Sequence, residues 1–357
     1  MKNIKKILAA GISVFTAGLA SFSLASCRQD DFVFKVGTGN AALCWAPLHI
    51  AIDNGYFDEE FKKAGLKYEI VEIDSVQAAQ LTAAGKIDGS LALAGNLIPI
   101  MDSGLEASFV AGIHTGCTKY YVRQDFDFKT LDDLKGKKIG FPAVTDSSVI
   151  AFQRKFFDLG YKVSGQDSDF ELVVYNMPDL PLALQNGAVD AIGVHAPVAT
   201  IAEQEYHLKK VLDLTEDSKF SNEYCCGAFV STSVAKKHPE AAAAFTRAIL
   251  KASAFVQARP KEAAQLQIDN GQMSGDVNLN AALLGTYNYT PSVKIMKKTL
   301  SDSVRELVRI GTLKNVDDEE QFINNHFAAF ENVPDSLIYN EDGTFSEKEV
   351  GSLADFS

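Results

Sequence analysis

Two segments of this chain, 102 residues apart, echo one another, and that echo constrains the fold more than any other feature. Ala79-Gln80-Leu81-Thr82-Ala83-Ala84-Gly85-Lys86-Ile87-Asp88-Gly89 aligns with Pro181-Leu182-Ala183-Leu184-Gln185-Asn186-Gly187-Ala188-Val189-Asp190-Ala191, so Gly85-x-Ile87-Asp88 matches Gly187-x-Val189-Asp190. In each copy a helical run meets a Gly suited to a left-handed C-cap. A short strand built on small residues follows, and then a loop: Leu93-Ala94-Gly95-Asn96 in the first copy, Val194-His195-Ala196-Pro197 in the second. One Gly-x-apolar-Asp match is within reach of chance. Matching flanks on both sides point to two similar lobes.

The rest of the chain alternates in the same way. A strand over residues 32–37 leads through a Gly/Asn loop to a helix at Ala46-Pro47-Leu48-His49-Ile50-Ala51-Ile52, which stops at Asn54-Gly55; a strand over 66–71 and a helix over 75–84 follow. Short apolar runs alternating with longer segments of helical spacing predict an α/β fold with largely parallel strands. Between the two echoes, Leu131-Asp132-Asp133-Leu134-Lys135-Gly136 reads as a short polar helix with a Gly stop, followed by a strand ending at Phe141. Pro142-Ala143-Val144-Thr145-Asp146-Ser147-Ser148 then opens a helix that runs through Phe156 and Phe157 to Leu159-Gly160. Ser, Thr and Asp suit an N-cap, and free N–H groups at a helix start suit an anion. Ser147 and Ser148 are therefore candidate ligand contacts, because the loops after parallel strands are where α/β sheets bind. From Ser233 the chain turns helical, with Phe245, Ile249, Ala252, Phe255 and Val256 on one buried stripe. Helices continue through Leu300, Val304, Leu307, Val308 and Phe322, are expected to pack back on the first lobe, and give way after Asn332 to an acidic, loose tail.

The N-terminus carries a different signal. Lys2, Lys5 and Lys6 precede an uncharged stretch over residues 7–25 that ends in Leu24-Ala25-Ser26-Cys27. A basic start, a short apolar region and small residues before the cut describe a secretory signal, and Cys27 is expected to carry lipid. No later stretch nears the roughly 18 apolar residues that span a bilayer. Removing residues 1–26 takes three of the 34 basic residues and none of the 46 acidic ones, which leaves a formal charge of −15. An acidic, patternless balance argues against nucleic acid and against electrostatic attachment to anionic lipid. Four further cysteines remain: Cys44, Cys117, Cys225 and Cys226. An even count in an exported chain allows two disulfides in three pairings, although a bridge between adjacent Cys225 and Cys226 would be strained.

Several motifs together resemble a known family. They are Trp45-Ala46-Pro47-Leu48-His49-Ile50-Ala51 with Asn54-Gly55-Tyr56-Phe57, Leu131-Asp132-Asp133-Leu134-Lys135-Gly136-Lys137-Lys138-Ile139-Gly140, Gly187-Ala188-Val189-Asp190-Ala191, and the stretch from Phe229-Val230-Ser231 to His238-Pro239-Glu240-Ala241-Ala242. In order and spacing, over most of residues 33–270, they resemble the nitrate/sulfonate/taurine-binding proteins of ABC importers, a family that includes the NMT1/THI5-like pyrimidine proteins. The resemblance implies two doubly wound α/β lobes of the periplasmic-binding-protein type II, a cleft between them that closes about a hinge, and a helical C-terminal extension packed on lobe one. The implied boundaries are a lipoprotein signal peptide over 1–26, a lipidated tether over 27–32, the first part of lobe one over 33–118, lobe two over 119–226, the returning part of lobe one over 227–332, and an acidic tail over 333–357. The implied function is that of a monomeric, extracytoplasmic binding protein, anchored to the outer face of the cell membrane through the lipid on Cys27. It would capture a sulfonate- or nitrate-like anion or a pyrimidine-like heterocycle and deliver it to ABC permease and ATPase subunits, with no catalysis and no cofactor. The alternatives are a THI5-like enzyme of pyrimidine or thiamine precursor metabolism, a binding protein for a metal or metal-cofactor, and a sensor that presents its closed lobes to a membrane receptor.

Within the family, Gly112-Ile113-His114-Thr115-Gly116-Cys117 and the Cys225-Cys226 pair resemble one subgroup. Tyr224-Cys225-Cys226-Gly227-Ala228-Phe229 also resembles the iron-binding cysteine-rich motif of yeast-type pyrimidine synthases, with two of its thiols missing. On the implied architecture the unusual polar residues gather at the cleft. Cys44 and Trp45 follow the first strand, Asn96 another; His114, Thr115 and Cys117 lie near the first crossover, His195 follows the second echo, and Cys225 and Cys226 mark the return. Thiolate and imidazole together suit a soft or borderline metal, whereas the short Cys-x2-Cys or His-x3-His spacing of dedicated sites is absent. Trp45 is expected to offer a flat stacking surface at the mouth, and Asn96, Thr115, Ser147 and Ser148 hydrogen bonds. Lys119 is the nearest candidate counter-charge, which weakens a simple anion assignment.

Overall fold

The computed structural model describes residues 32–39 and 43–353. The secretory signal and Cys27 lie outside the described residues. Lobe one begins with β1 (Val33–Thr38), α1 (Ala46–Asp53), α2 (Tyr56–Ala64), β2 (Lys67–Glu72), α3 (Ala78–Ala83), β3 (Gly89–Leu93), α4 (Ala94–Asp102) and β4 (Ala107–His114). Lobe two contains β5 (Thr118–Val122), β6 (Lys138–Phe141), α5 (Ser147–Asp158), β7 (Glu171–Val174), α6 (Leu180–Gln185), β8 (Ala191–His195), α7 (Val198–Gln204) and β9 (Lys209–Asp213). The chain then returns through β10 (Cys226–Ser231), α8 (Thr232–Lys237), α9 (Pro239–Ala258), α10 (Pro260–Asp269), α11 (Val277–Thr286), α12 (Val293–Ile310) and α13 (Glu319–Asn325), and ends in β11 (Ser336–Tyr339) and β12 (Phe345–Lys348).

The sheets run β2-β1-β3-β10-β4 and β7-β6-β8-β5-β9, so strand for strand they have one topology. The echoed residues explain part of the match. Gly85 and Gly187 take φ of +64° and +73° after α3 and α6, where a side chain would be strained. Asp88 and Asp190 then each accept a bond from the backbone N–H of the lobe's leading strand, Lys35 in one and Lys138 in the other, both at 2.9 Å. The echo is thus a joint that fixes the third strand of each sheet beside the first.

The expectation of largely parallel strands needs correction. β1 pairs in parallel with β2 and β3, and β6 with β7 and β8, but β10 is antiparallel to β3 and β4, and β5 is antiparallel to β8 and β9. β5 and β10 are the strands that enter each sheet from the other lobe. They arrive at the cleft end and must run backwards.

In lobe one, the rings of Phe34 and Phe57 pack against Phe245 of α9 and Phe61 packs on both of them, while Ile249, Ala252, Phe255 and Val256 of α9 are buried as their spacing predicts. Phe141, Phe152, Phe156 and Phe170 pack together in lobe two. The loose tail expected after Asn332 is instead a hairpin of β11 and β12 with Leu337, Val350 and Leu353 buried. Asp335 anchors it: one carboxylate oxygen accepts from Ser292 Oγ and Lys294 N, the other from Val350 N.

Candidate functional site

Two crossovers join the lobes, residues 115–117 between β4 and β5, and residues 214–225 between β9 and β10. They run side by side: Cys225 N donates to His114 O at 3.0 Å, and Leu214 N to Thr118 O at 3.2 Å. Beside them lies a cavity of about 50 Å³, walled by Ala94 and Gly95 of α4, by the crossovers, and by Ser147, Ile150, Ala151 and Arg154 of α5. Those four α5 residues are spaced as one helical face. The volume equals a few water molecules, so this is a closed arrangement of the lobes.

Arg154 is 5% exposed, and each of its three guanidinium nitrogens donates to a carboxylate. Its Nη1 and Nη2 donate to the two oxygens of Glu223 at 2.7 and 2.9 Å, and its Nε to Glu306 of α12 at 2.7 Å. Although burial opposes the charge, these carboxylates hold the guanidinium protonated. The cation in the cavity wall is therefore neutralised from within, and an anionic ligand would have to displace a bidentate partner. Lys119 does not line the cavity; it pairs with Glu203 and Asp213.

Asp146 caps α5 by accepting from Ser148 N at 2.9 Å, and Ser148 Oγ donates to the same carboxylate oxygen. That oxygen also lies 2.7 Å from His195 Nε2, while His195 Nδ1 lies 2.8 Å from Thr118 Oγ1. Burial alone would deprotonate the imidazole, but the Asp146 carboxylate outweighs it and lifts His195 to about 9. Burial likewise works against the Asp146 carboxylate, and charged His195 holds it below the usual range. The pair is an imidazolium–carboxylate that ties β8 to the start of α5. Cys117 Sγ stands 3.9 Å from His195 Nδ1, which is committed to Thr118. This geometry does not make His195 a base for the thiol.

All four described cysteines are free thiols. Cys117 and Cys225, one on each crossover, have their sulfurs 3.4 Å apart. Cys44, His114 and Cys226 bring one donor atom each within 4.8 Å of one another. Hydrogen bonding from Cys226 lowers the Cys44 thiol to about 5 against the opposing effect of burial, with His114 adding to the stabilisation of the thiolate. Cys225 is likewise lowered, first by its bond from Cys117. Tyr287 and Tyr289 cover His114, with ring centroids at 5.4 and 5.0 Å.

Of the residues singled out from sequence, Cys44, His114, Cys117, Ser147, His195, Cys225 and Cys226 gather at the crossovers. Ser148 serves Asp146. Thr115 is a support: its carbonyl accepts from His114 Nδ1 and its hydroxyl donates to Tyr287 O. Asn96 lies on α4 with its Oδ1 buried and unpartnered. Trp45 departs most from expectation, because it is 4% exposed within lobe one's core and is absent from the cavity wall. Sequence reasoning missed Asp146 as the His195 partner, and Arg154, Glu223 and Tyr224 in the cavity wall. Arg154 was readable as a charge on the small-residue face Ser147, Ile150, Ala151; nothing local marks Glu223 as its partner.

Two α/β lobes of one topology, joined by paired crossovers beside a small cavity, define a periplasmic-binding-protein-like molecule. Residues 44–263 match the family model described as NMT1/THI5 like, and the chain belongs to that family. A formylaminopyrimidine-binding protein of Halalkalibacterium halodurans is 28% identical over 285 residues, 71% of this chain and 77% of that protein. The periplasmic aliphatic sulphonate binding protein SsuA of Escherichia coli superposes with a TM-score of 0.65 at 16% identity, over 81% of this chain and 96% of that one. The periplasmic nitrate-binding protein NrtA of Synechocystis PCC 6803 gives 0.63 at 15% identity, over 88% and 95%.

Proposed function

We propose that this chain is the extracytoplasmic, lipid-anchored solute-binding component of an ABC importer, tethered through Cys27, acting as a monomer and passing its ligand to permease and ATPase subunits without catalysis. The observation that carries the reading is the small cavity where both crossovers, α4 and α5 meet. A ligand held there touches both lobes and the hinge at once, so its binding energy is coupled to closure. The basic start, the apolar stretch and Leu24-Ala25-Ser26-Cys27 support the tether.

The cavity favours a small neutral solute, such as a pyrimidine-like heterocycle, over a sulfonate or nitrate. Arg154 is already paired with Glu223 and Glu306, and neighbouring Cys225 is held toward the thiolate. The lobes must part to admit a heterocycle, because about 50 Å³ does not hold one. The test is calorimetric titration of residues 28–357 with formylaminopyrimidine, an alkanesulfonate and nitrate, paired with small-angle scattering. Binding of the heterocycle with compaction is expected. Binding of the anions alone overturns the ligand class, and failure of every ligand to alter the scattering overturns the hinge-closure reading.

A further inference from the structure

Beyond that cavity, the structure carries a second constellation with its own chemistry. Cys44 sits in the turn that leads into α1, His114 at the end of β4 and Cys226 at the start of β10. His114 and Cys226 are register partners in the β4–β10 ladder, so the backbone sets their proximity. Both are fully buried, and one donor atom from each of the three residues lies within 4.8 Å of the others. The imidazole is already oriented. Its Nδ1 is 2.6 Å from Thr115 O, which can only accept, so Nδ1 keeps a proton and Nε2 is the nitrogen that can give up its proton and present a lone pair. That Nε2 is buried with no hydrogen-bond partner among the described residues. An imidazole close to two sulfurs, with one nitrogen fixed by a carbonyl and the other unpartnered, is the arrangement of a metal-ligating histidine and its supporting bond.

We propose that Cys44, His114 and Cys226 bind a thiophilic d10 cation, Zn²⁺ or Cu⁺, with one sulfur of the Cys117–Cys225 pair completing the shell. Two sulfurs and one imidazole select such ions against the hard Mg²⁺ and Ca²⁺, which take oxygen. The donors come from three segments far apart in sequence, which is why no short ligand spacing marks the site. Cys44, His114 and Cys226 belong to lobe one and Cys225 to the returning crossover, so an ion holding both would brace the hinge root against the lobe.

Cobalt titration of reduced, anaerobic residues 28–357 tests this without any substitution. One equivalent of Co²⁺ is expected to give thiolate-to-cobalt charge-transfer absorption with tetrahedral d–d bands, and Zn²⁺ or Cu⁺ is expected to abolish both. Chelator competition should then show Cys44→Ser and Cys226→Ser each weakening the ion by about a hundredfold or more, while circular dichroism reports that the variants are folded. Absence of the charge-transfer band in the unsubstituted protein overturns the site, as does unchanged affinity in folded Cys44→Ser and Cys226→Ser. Either result leaves the calorimetry of organic solutes, run with chelator, as a separate test of the transport reading.

Discussion

Arg154 and His195 show how strongly single residues at the junction depend on their partners. Replacing Arg154 by Met leaves Glu223, which is 8% exposed, without its bidentate partner and Glu306 without one of its cations. Uncompensated buried charge of this kind costs about 3–5 kcal/mol. Urea unfolding of Arg154→Met should register that loss, and a change below about 1 kcal/mol would show that the pair is not closed in solution. His195 gives a pH signature. Its pKa rises from an unfolded value of about 6.5 to about 9 in the fold. The resulting stabilisation, about 3 kcal/mol, is complete below the unfolded value and is lost as pH rises through the folded one. Asp146 acts at the other end: its lowered pKa contributes above the ordinary carboxylate range and is lost as pH falls. The difference in unfolding free energy between the unsubstituted protein and His195→Gln should therefore shrink between pH 7 and pH 10; a constant difference would mean the imidazole is neutral. His195 was legible as a loop residue after a repeat strand. Its charge state was not, because that depends on Asp146, which approaches only when α5 docks on β8.

At the scale of elements, what separates β4 from the returning crossover is a missing side chain. A Cβ on Gly112 would lie 1.9 Å from the Tyr224 ring, and that ring is held by its hydroxyl, which donates to Thr290 O at 2.5 Å. Gly112→Ala is expected to destabilise by about 3 kcal/mol, the upper range for overpacking, and to shift the hinge root. An unfolding midpoint equal to that of the parent would mean Tyr224 is free to move. Most elements were legible because their signals are local: the Gly stops after α3 and α6 and the Ser/Asp start of α5 act within one turn, and the stripe of α9 within about three. The antiparallel β5 and β10 were not, since strand direction is set by which lobe the chain leaves. The terminal hairpin was also missed, because its acidic composition hides the few apolar residues that dock it.

For the whole molecule, the decisive contact is α4 against α5 across the cleft. A Cβ on Gly95 would already stand 3.0 Å from Ser147 Cβ, so a leucine there would need space that the closed form lacks. Gly95→Leu should raise the radius of gyration in the presence of ligand and weaken binding more than tenfold, about 1.4 kcal/mol, with the unfolding free energy nearly unchanged. Scattering identical to the parent with ligand bound would refute closure through this contact. The sequence by itself determined that there are two lobes, since helix stops, the Asp that joins third strand to first, and apolar periodicity act over a few residues and repeat along the chain. It also determined which chemistry-bearing residues stand near the crossovers, because loops at strand ends carry them there. Only the tertiary structure decided that Trp45 is core, that Arg154 is spent on Glu223 and Glu306, and that Cys44, His114 and Cys226 converge. Those outcomes depend on distances between segments up to 182 residues apart, from Cys44 to Cys226, and such distances are set by sheet register and helix docking rather than by any local pattern.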